Sequence, residues 1–244
     1  MGIFKSIITY YRKRKFPMVG NVEAVCPYCN CSLEKKPGRK KKCPECNNYI
    51  YVRTSPKTGE KILITEAQID IIEEQWSIIN GTHSEYIQRK KIIEKEGKSL
   101  KKKFGREPSE NEIKWSLLNK ELIDNASRGN WGLYRNTKLN MAELLLEESK
   151  SKQALSIFLE VVYLDINGPC NTNGCKEFPP FQKSHAIIAP GVINRILKII
   201  SNMGLNMNDI KAIFYDVAEV NFKNLKLPVK PETAWKEIKK ELFH

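Results

Sequence analysis

Cys26-Pro27-Tyr28-Cys29-Asn30 and Cys43-Pro44-Glu45-Cys46-Asn47 are two versions of one short phrase, with thirteen residues between Cys29 and Cys43. Two residues between paired cysteines let one tight turn aim both sulfurs at a single ion, and Zn²⁺ favours tetrahedral thiolate coordination. Pro27 and Pro44 preset φ inside each turn. Asn30 and Asn47 follow the second cysteine of each pair, where the chain needs a left-handed residue, and Asn adopts that conformation more readily than most side chains. Cys26, Cys29, Cys43 and Cys46 are therefore expected to hold one structural Zn²⁺. Cys31 is a fifth thiol just beyond Cys29. It reads as a free cysteine beside the ligand set, or as a replacement for Cys29 if the first turn is irregular.

Outward from the cysteines, the pattern continues in strands. Val22 and Val25 lead into the first knuckle, and Pro37-Gly38 predicts a hairpin tip midway between the knuckles. Lys35, Lys36, Arg39, Lys40, Lys41 and Lys42 fall around that tip and its return arm. Tyr49-Ile50-Tyr51-Val52-Arg53-Thr54 is rich in β-formers, Ser55-Pro56-Lys57-Thr58-Gly59 turns the chain, and Lys61-Ile62-Leu63-Ile64 returns. Residues 21–65 thus resemble a zinc ribbon. A unit of about 45 residues buries too little apolar surface to fold alone, so the metal is expected to supply the missing stability.

Other uses of the cysteines fit less well. A disulfide framework belongs to a secreted chain, and Met1-Gly2-Ile3-Phe4-Lys5 runs into charge without a signal-peptide core. A redox dithiol needs one CxxC, not two. Iron in a rubredoxin-like cage would also accept four thiolates, but the positive charge nearby suits structural zinc better than an electron-transfer surface. No apolar stretch has the length of a membrane span. A cytoplasmic, reducing setting is expected.

The formal charge is +13, and its distribution is uneven. Residues 1–65 hold fourteen Lys/Arg against four Glu, residues 66–128 balance at twelve each, and residues 129–244 carry fifteen against twelve. The excess lies on the N-terminal arm, with Arg12, Lys13, Arg14 and Lys15, and on the ribbon. Nucleic acid is the default polyanion for such a patch.

The remainder reads as helix, so the expected class is mainly α with a small N-terminal β zinc ribbon and a bundle-like or repeat-like C-terminal region. Residues 1–20 form a basic amphipathic arm with Ile3, Phe4, Ile7, Ile8 and Tyr11 at helical spacing, stopped by Pro17. Residues 66–128 form a helical region. Thr65-x-x-Gln68 opens its first helix, Asn80-Gly81 closes it, and a second helix runs from about Ser84 through Phe104. Ser109-x-x-Glu112 starts another. The phrase Gly105-Arg106-Glu107-Pro108-Ser109-Glu110-Asn111-Glu112-Ile113 resembles a piece of sigma-factor helical regions, but turn and cap chemistry account for every residue in it. Residues 129–244 form a helical domain. Within it, residues 131–165 resemble one tetratricopeptide repeat, with Ala142, Ala154 and Phe158 at its packing positions and no second copy. A helical hairpin within a bundle explains the same pattern and is preferred. Residues 166–182 are a loop, followed by helices at 190–201, 209–221 and 231–243.

Catalytic patterns are scarce. The three histidines, His83, His185 and His244, form no metalloprotease or nuclease motif, and there is no phosphate loop or GxSxG. Cys170, Cys175 and His185 are a candidate second metal set, one ligand short. The favoured reading is a non-enzymatic nucleic-acid-binding accessory protein, in which Tyr28, Tyr49 and Tyr51 would stack on unpaired bases if exposed. The alternatives are an adaptor docking on a nucleic-acid machine such as RNA polymerase, and an enzyme with an unrecognised site around residues 165–185. The layout resembles zinc-ribbon proteins of phage and mobile elements, a likeness that carries no catalytic residues across.

Overall fold

The structure, a computed structural model, describes residues 16–175 and 177–243. Residues 1–15 of the amphipathic arm, with the Arg12, Lys13, Arg14 and Lys15 run, lie outside the described residues, whereas Phe16 and Val19 at its end are buried. The chain divides into two compact units, residues 1–94 and 95–244.

In the first unit, β1 (Lys41–Lys42), β2 (Tyr49–Thr54) and β3 (Lys61–Ile64) form an antiparallel sheet in sequence order. Strand alternation gives β2 two different duties. Ile50 and Val52, with Leu63, pack against Cys26 and Cys43 on one side. On the other, Tyr51 joins Ile62, Ile64, Val19 and Ile72 of helix α1 (Ile69–Asn80). Gln68 starts the turn ahead of α1 by bonding the Thr65 N–H at 3.0 Å, and Gly81 ends α1 at φ 76°. The helix α2 (His83–Phe104) follows. The segment between the knuckles is not a hairpin of its own. Its outgoing arm bonds back to the first knuckle, through Leu33 N–H to Ala24 O at 2.7 Å and a Val25–Ser32 bridge, while its return arm, β1, pairs with β2.

The second unit is helical. It comprises the end of α2, then α3 (Glu110–Ser127), α4 (Trp131–Glu147), α5 (Ser151–Asn167), α6 (Pro190–Met203), α7 (Met207–Leu225) and α8 (Pro231–Phe243). The Ser109 box closes on Glu112 as expected, at 2.7 and 3.2 Å. Asn206 caps α7 through the N–H groups of Asn208 and Asp209, so that helix starts two residues earlier than the sequence suggests. A short turn, with Ser149 at φ 61°, joins α4 to α5 as a helical hairpin. Ala142, Ala154 and Phe158 are all fully buried within it. Every residue of α5 from Phe158 through Asn167 is buried, because α4, α6, α7 and α8 all pack on it. Its polar members are paired: Arg135 grips Asp165 through two 2.7 Å bonds, and Asn167 spans the Tyr163 carbonyl and the Val229 N–H. Among the described residues, no helix is long and apolar enough to cross a membrane.

Candidate metal centre

Each knuckle closes by the same two backbone bonds. Asn30 N–H reaches Cys26 O at 3.0 Å and Cys26 N–H reaches Cys31 O at 2.9 Å, while Asn47 N–H reaches Cys43 O at 3.1 Å and Cys43 N–H reaches Asn48 O at 2.9 Å. Asn30 and Asn47 take φ of 59° and 56°, the left-handed values their positions require. The two turns are therefore equivalent, and Cys31 occupies the place of Asn48. The first knuckle is regular, so Cys29 keeps its place in the ligand set.

The geometry of the four sulfurs fits the ion expected from the spacing. Cys26, Cys29, Cys43 and Cys46 place their Sγ atoms within 4.8 Å of one another. The contacts between knuckles, Cys26 to Cys46 and Cys29 to Cys43, are both 3.8 Å. Zinc–sulfur bonds of about 2.3 Å in a tetrahedron set the sulfurs about 3.8 Å apart. Cys26 and Cys43 are buried under Ile50 and Leu63, whereas Cys29 is exposed. Tyr28 N–H approaches Cys26 Sγ at 3.5 Å. The N–H groups of Cys46 and Glu45 face Cys43, and they pull its thiol down to about 6, toward the thiolate a metal needs. These four residues could hold one metal ion.

Around this centre, Lys35, Arg39, Lys40, Lys41 and Lys42 are exposed, but Lys36 is committed elsewhere. Its ammonium donates to the carbonyls of Val22 and Lys61, tying the loop to the sheet. No local signal in the sequence marks this role, which depends on a carbonyl far along the chain. The three tyrosines also separate. Tyr49 and Tyr28 are 46% and 38% exposed, but Tyr51 is 8% exposed and donates its hydroxyl to Glu66 Oε1 at 2.6 Å. Glu66 itself was legible only as part of a helix start.

The second candidate set is brought together only in part. Cys170 Sγ and His185 Nδ1 meet at 3.2 Å, because the Pro169–Phe181 bridge and the Gln182 N–H to Gly168 O bond of 2.8 Å draw the loop's two arms together. A Cβ at Gly168 would lie 1.8 Å from the Gln182 oxygen, so only glycine permits this approach. Cys175 is exposed on a turn closed by its N–H to Thr172 O. Among the described residues, the group of three or more candidate ligands close enough to share an ion is the cysteine tetrad, and Cys170, Cys175 and His185 do not form another.

Compared with protein-family models, curated proteins and solved structures, the chain gives no match.

Proposed function

We propose that the tetrad binds one structural zinc ion and that the ribbon it stabilises is the nucleic-acid-binding module of an accessory protein. The observation that supports this most is the exposure of Lys35, Arg39, Lys40, Lys41 and Lys42 on the segment that the metal-bearing knuckles brace. A folded scaffold holds these cations near one another, where each contact to phosphate releases a condensed counterion. The four closed thiolate positions leave no open coordination site, which suits zinc as a scaffold and not as a reaction centre.

Elemental analysis combined with a salt titration tests the reading. One zinc per chain and an affinity for nucleic acid that falls steeply with salt are expected. Reversing Arg39, Lys40, Lys41 and Lys42 to Glu should abolish binding and leave the zinc in place. Zinc-loaded protein that binds no nucleic acid at low salt would transfer the role to a protein partner.

A further inference from the structure

The uncovered end of the ribbon sheet carries side chains that phosphate contact alone does not require. Pairing of β1 with β2 sets Lys42 across from Tyr49, and alternation puts Lys40 and Tyr51 on the same side. Lys40 Nζ lies 4.4 Å from the centre of the Tyr49 ring and 4.5 Å from that of Tyr51, and Lys42 Nζ lies 5.1 Å from Tyr49. Tyr51 holds the Glu66 carboxylate, and the Glu66 N–H donates to the Tyr28 hydroxyl at 2.9 Å. Contact by contact, Tyr28, Glu66, Tyr51, Lys40, Tyr49 and Lys42 make one continuous row.

We propose that this row binds single-stranded nucleic acid, with Tyr49 stacking on an unpaired base and Lys40 and Lys42 meeting the phosphates beside it. The proposal rests on the nucleic-acid reading of the ribbon and adds the class of strand. A surface that reads only duplex phosphates needs cations, and it gains nothing from a tyrosine ring left in water. Base faces inside a duplex are already stacked on their neighbours, so a single strand is the form that offers a face to Tyr49. In the free protein the two ammonium groups lie over that ring. Such contacts at exposed sites are weak, and incoming phosphates draw the lysines aside and open the ring. Tyr51 is covered and does not stack. Its hydroxyl holds Glu66, the one carboxylate in the row, so the strand runs over Tyr49 on the side of Lys40 and Lys42, away from that negative charge.

The test is fluorescence anisotropy of labelled thymidine and uridine homopolymer strands and of a duplex of equal length, titrated with the zinc-loaded full chain over a salt series. Both single strands should bind more tightly than the duplex at every salt concentration, and comparing the two separates DNA from RNA. Tyr49→Ala should weaken single-strand binding about tenfold with its salt dependence unchanged, while Tyr49→Phe binds as the parent does. Lys42→Ala should lower the salt slope by about one. Measuring zinc content on each variant shows that the ribbon remains folded. A duplex bound as tightly as the strands, or a Tyr49→Ala chain with undiminished affinity, would overturn the stacking proposal and leave the phosphate reading standing. Loss of all binding at low salt in the parent protein overturns both. Equal affinity for polyglutamate would also overturn the proposal, in favour of an acidic protein partner.

Discussion

Cys31 Sγ lies 3.4 Å from Cys43 Sγ, nearer than either of the 3.8 Å contacts within the tetrad. The fifth sulfur therefore touches the candidate metal centre, though it is not among the four that could share an ion. The pull on the two groups is opposite: Cys43 is drawn down to about 6, while its contact with Cys43 pushes the Cys31 thiol up to about 12. The contact therefore favours the proton on Cys31 and the thiolate on Cys43. Cys31→Ser should accordingly keep one zinc per chain, whereas Cys43→Ser should lose it, and elemental analysis of the two proteins distinguishes them.

Removing the metal should unfold the ribbon while the helical unit survives. Cys26 and Cys43 form part of the small core with Ile50 and Leu63, and that core has little else to hold it. Hydrogen exchange after chelation should show protection lost at Ile50 and Leu63 and retained through α5. Retained protection at Ile50 would mean the ribbon is stable without metal.

The left-handed asparagines should be sensitive to any substitution that keeps a Cβ but loses the carboxamide, whose local hydrogen bonding makes that conformation tolerable. Asn30→Ala and Asn47→Ala should each cost about 1–2 kcal/mol, and the glycine variants much less. Competition against a chromophoric chelator would read that cost as weaker zinc retention.

In the second unit, Arg135 and Asp165 are a bidentate pair with side chains 11% and 6% exposed. Burial pushes the Asp165 carboxyl upward against the pull of Arg135. Arg135→Met alone should destabilise the unit by about 3–5 kcal/mol, because it strands a buried carboxylate. Adding Asp165→Leu should recover much of the loss, as seen in urea melts. Equal stability of the single and double variants would show that the pair is not coupled.

Glu112 offers a pH test. Arg106, followed by the Ser109 N–H, holds its carboxyl down to about 2, against an ordinary value of 4.5. With the folded value the lower of the two, its contribution to α3 is present above about 4.5 and is lost as pH falls through about 2. Arg106→Ala should move the midpoint upward, as carboxyl-carbon NMR would show, with part of the depression kept by Ser109.

Features that depend on a few neighbouring residues were legible in the sequence. The ligand spacing, the left-handed Asn30 and Asn47, the Ser109 box and the Gly81 stop are all set within one turn of chain. The packing residues Ala142, Ala154 and Phe158 were legible too, as the packing positions of the tetratricopeptide-like hairpin pattern, and all three are buried. What could not be read depends on distant partners. Lys36 looks like any ribbon lysine until Val22 and Lys61 present their carbonyls to it. Tyr49 and Tyr51 are alike in sequence, and only the docking of Ile72 and Glu66 near one of them decides which is covered. Cys170, Cys175 and His185 were grouped in the sequence, but only the closure of two loop arms at Gly168 decides that Cys170 and His185 meet while the three form no ligand group.

Strand β2 turns Ile50 and Val52 toward the cysteines and Tyr49 and Tyr51 away from them. A slip of one residue in its pairing would turn both tyrosines toward the cysteines and expose Ile50 and Val52 to water. The second knuckle forms the link between β1 and β2, so the sulfurs of Cys43 and Cys46 can reach a shared ion only when that link has its proper length and turn. Coordination would therefore proofread strand alignment. An ion held against one face of the ribbon would select which side chains the sheet displays on the other.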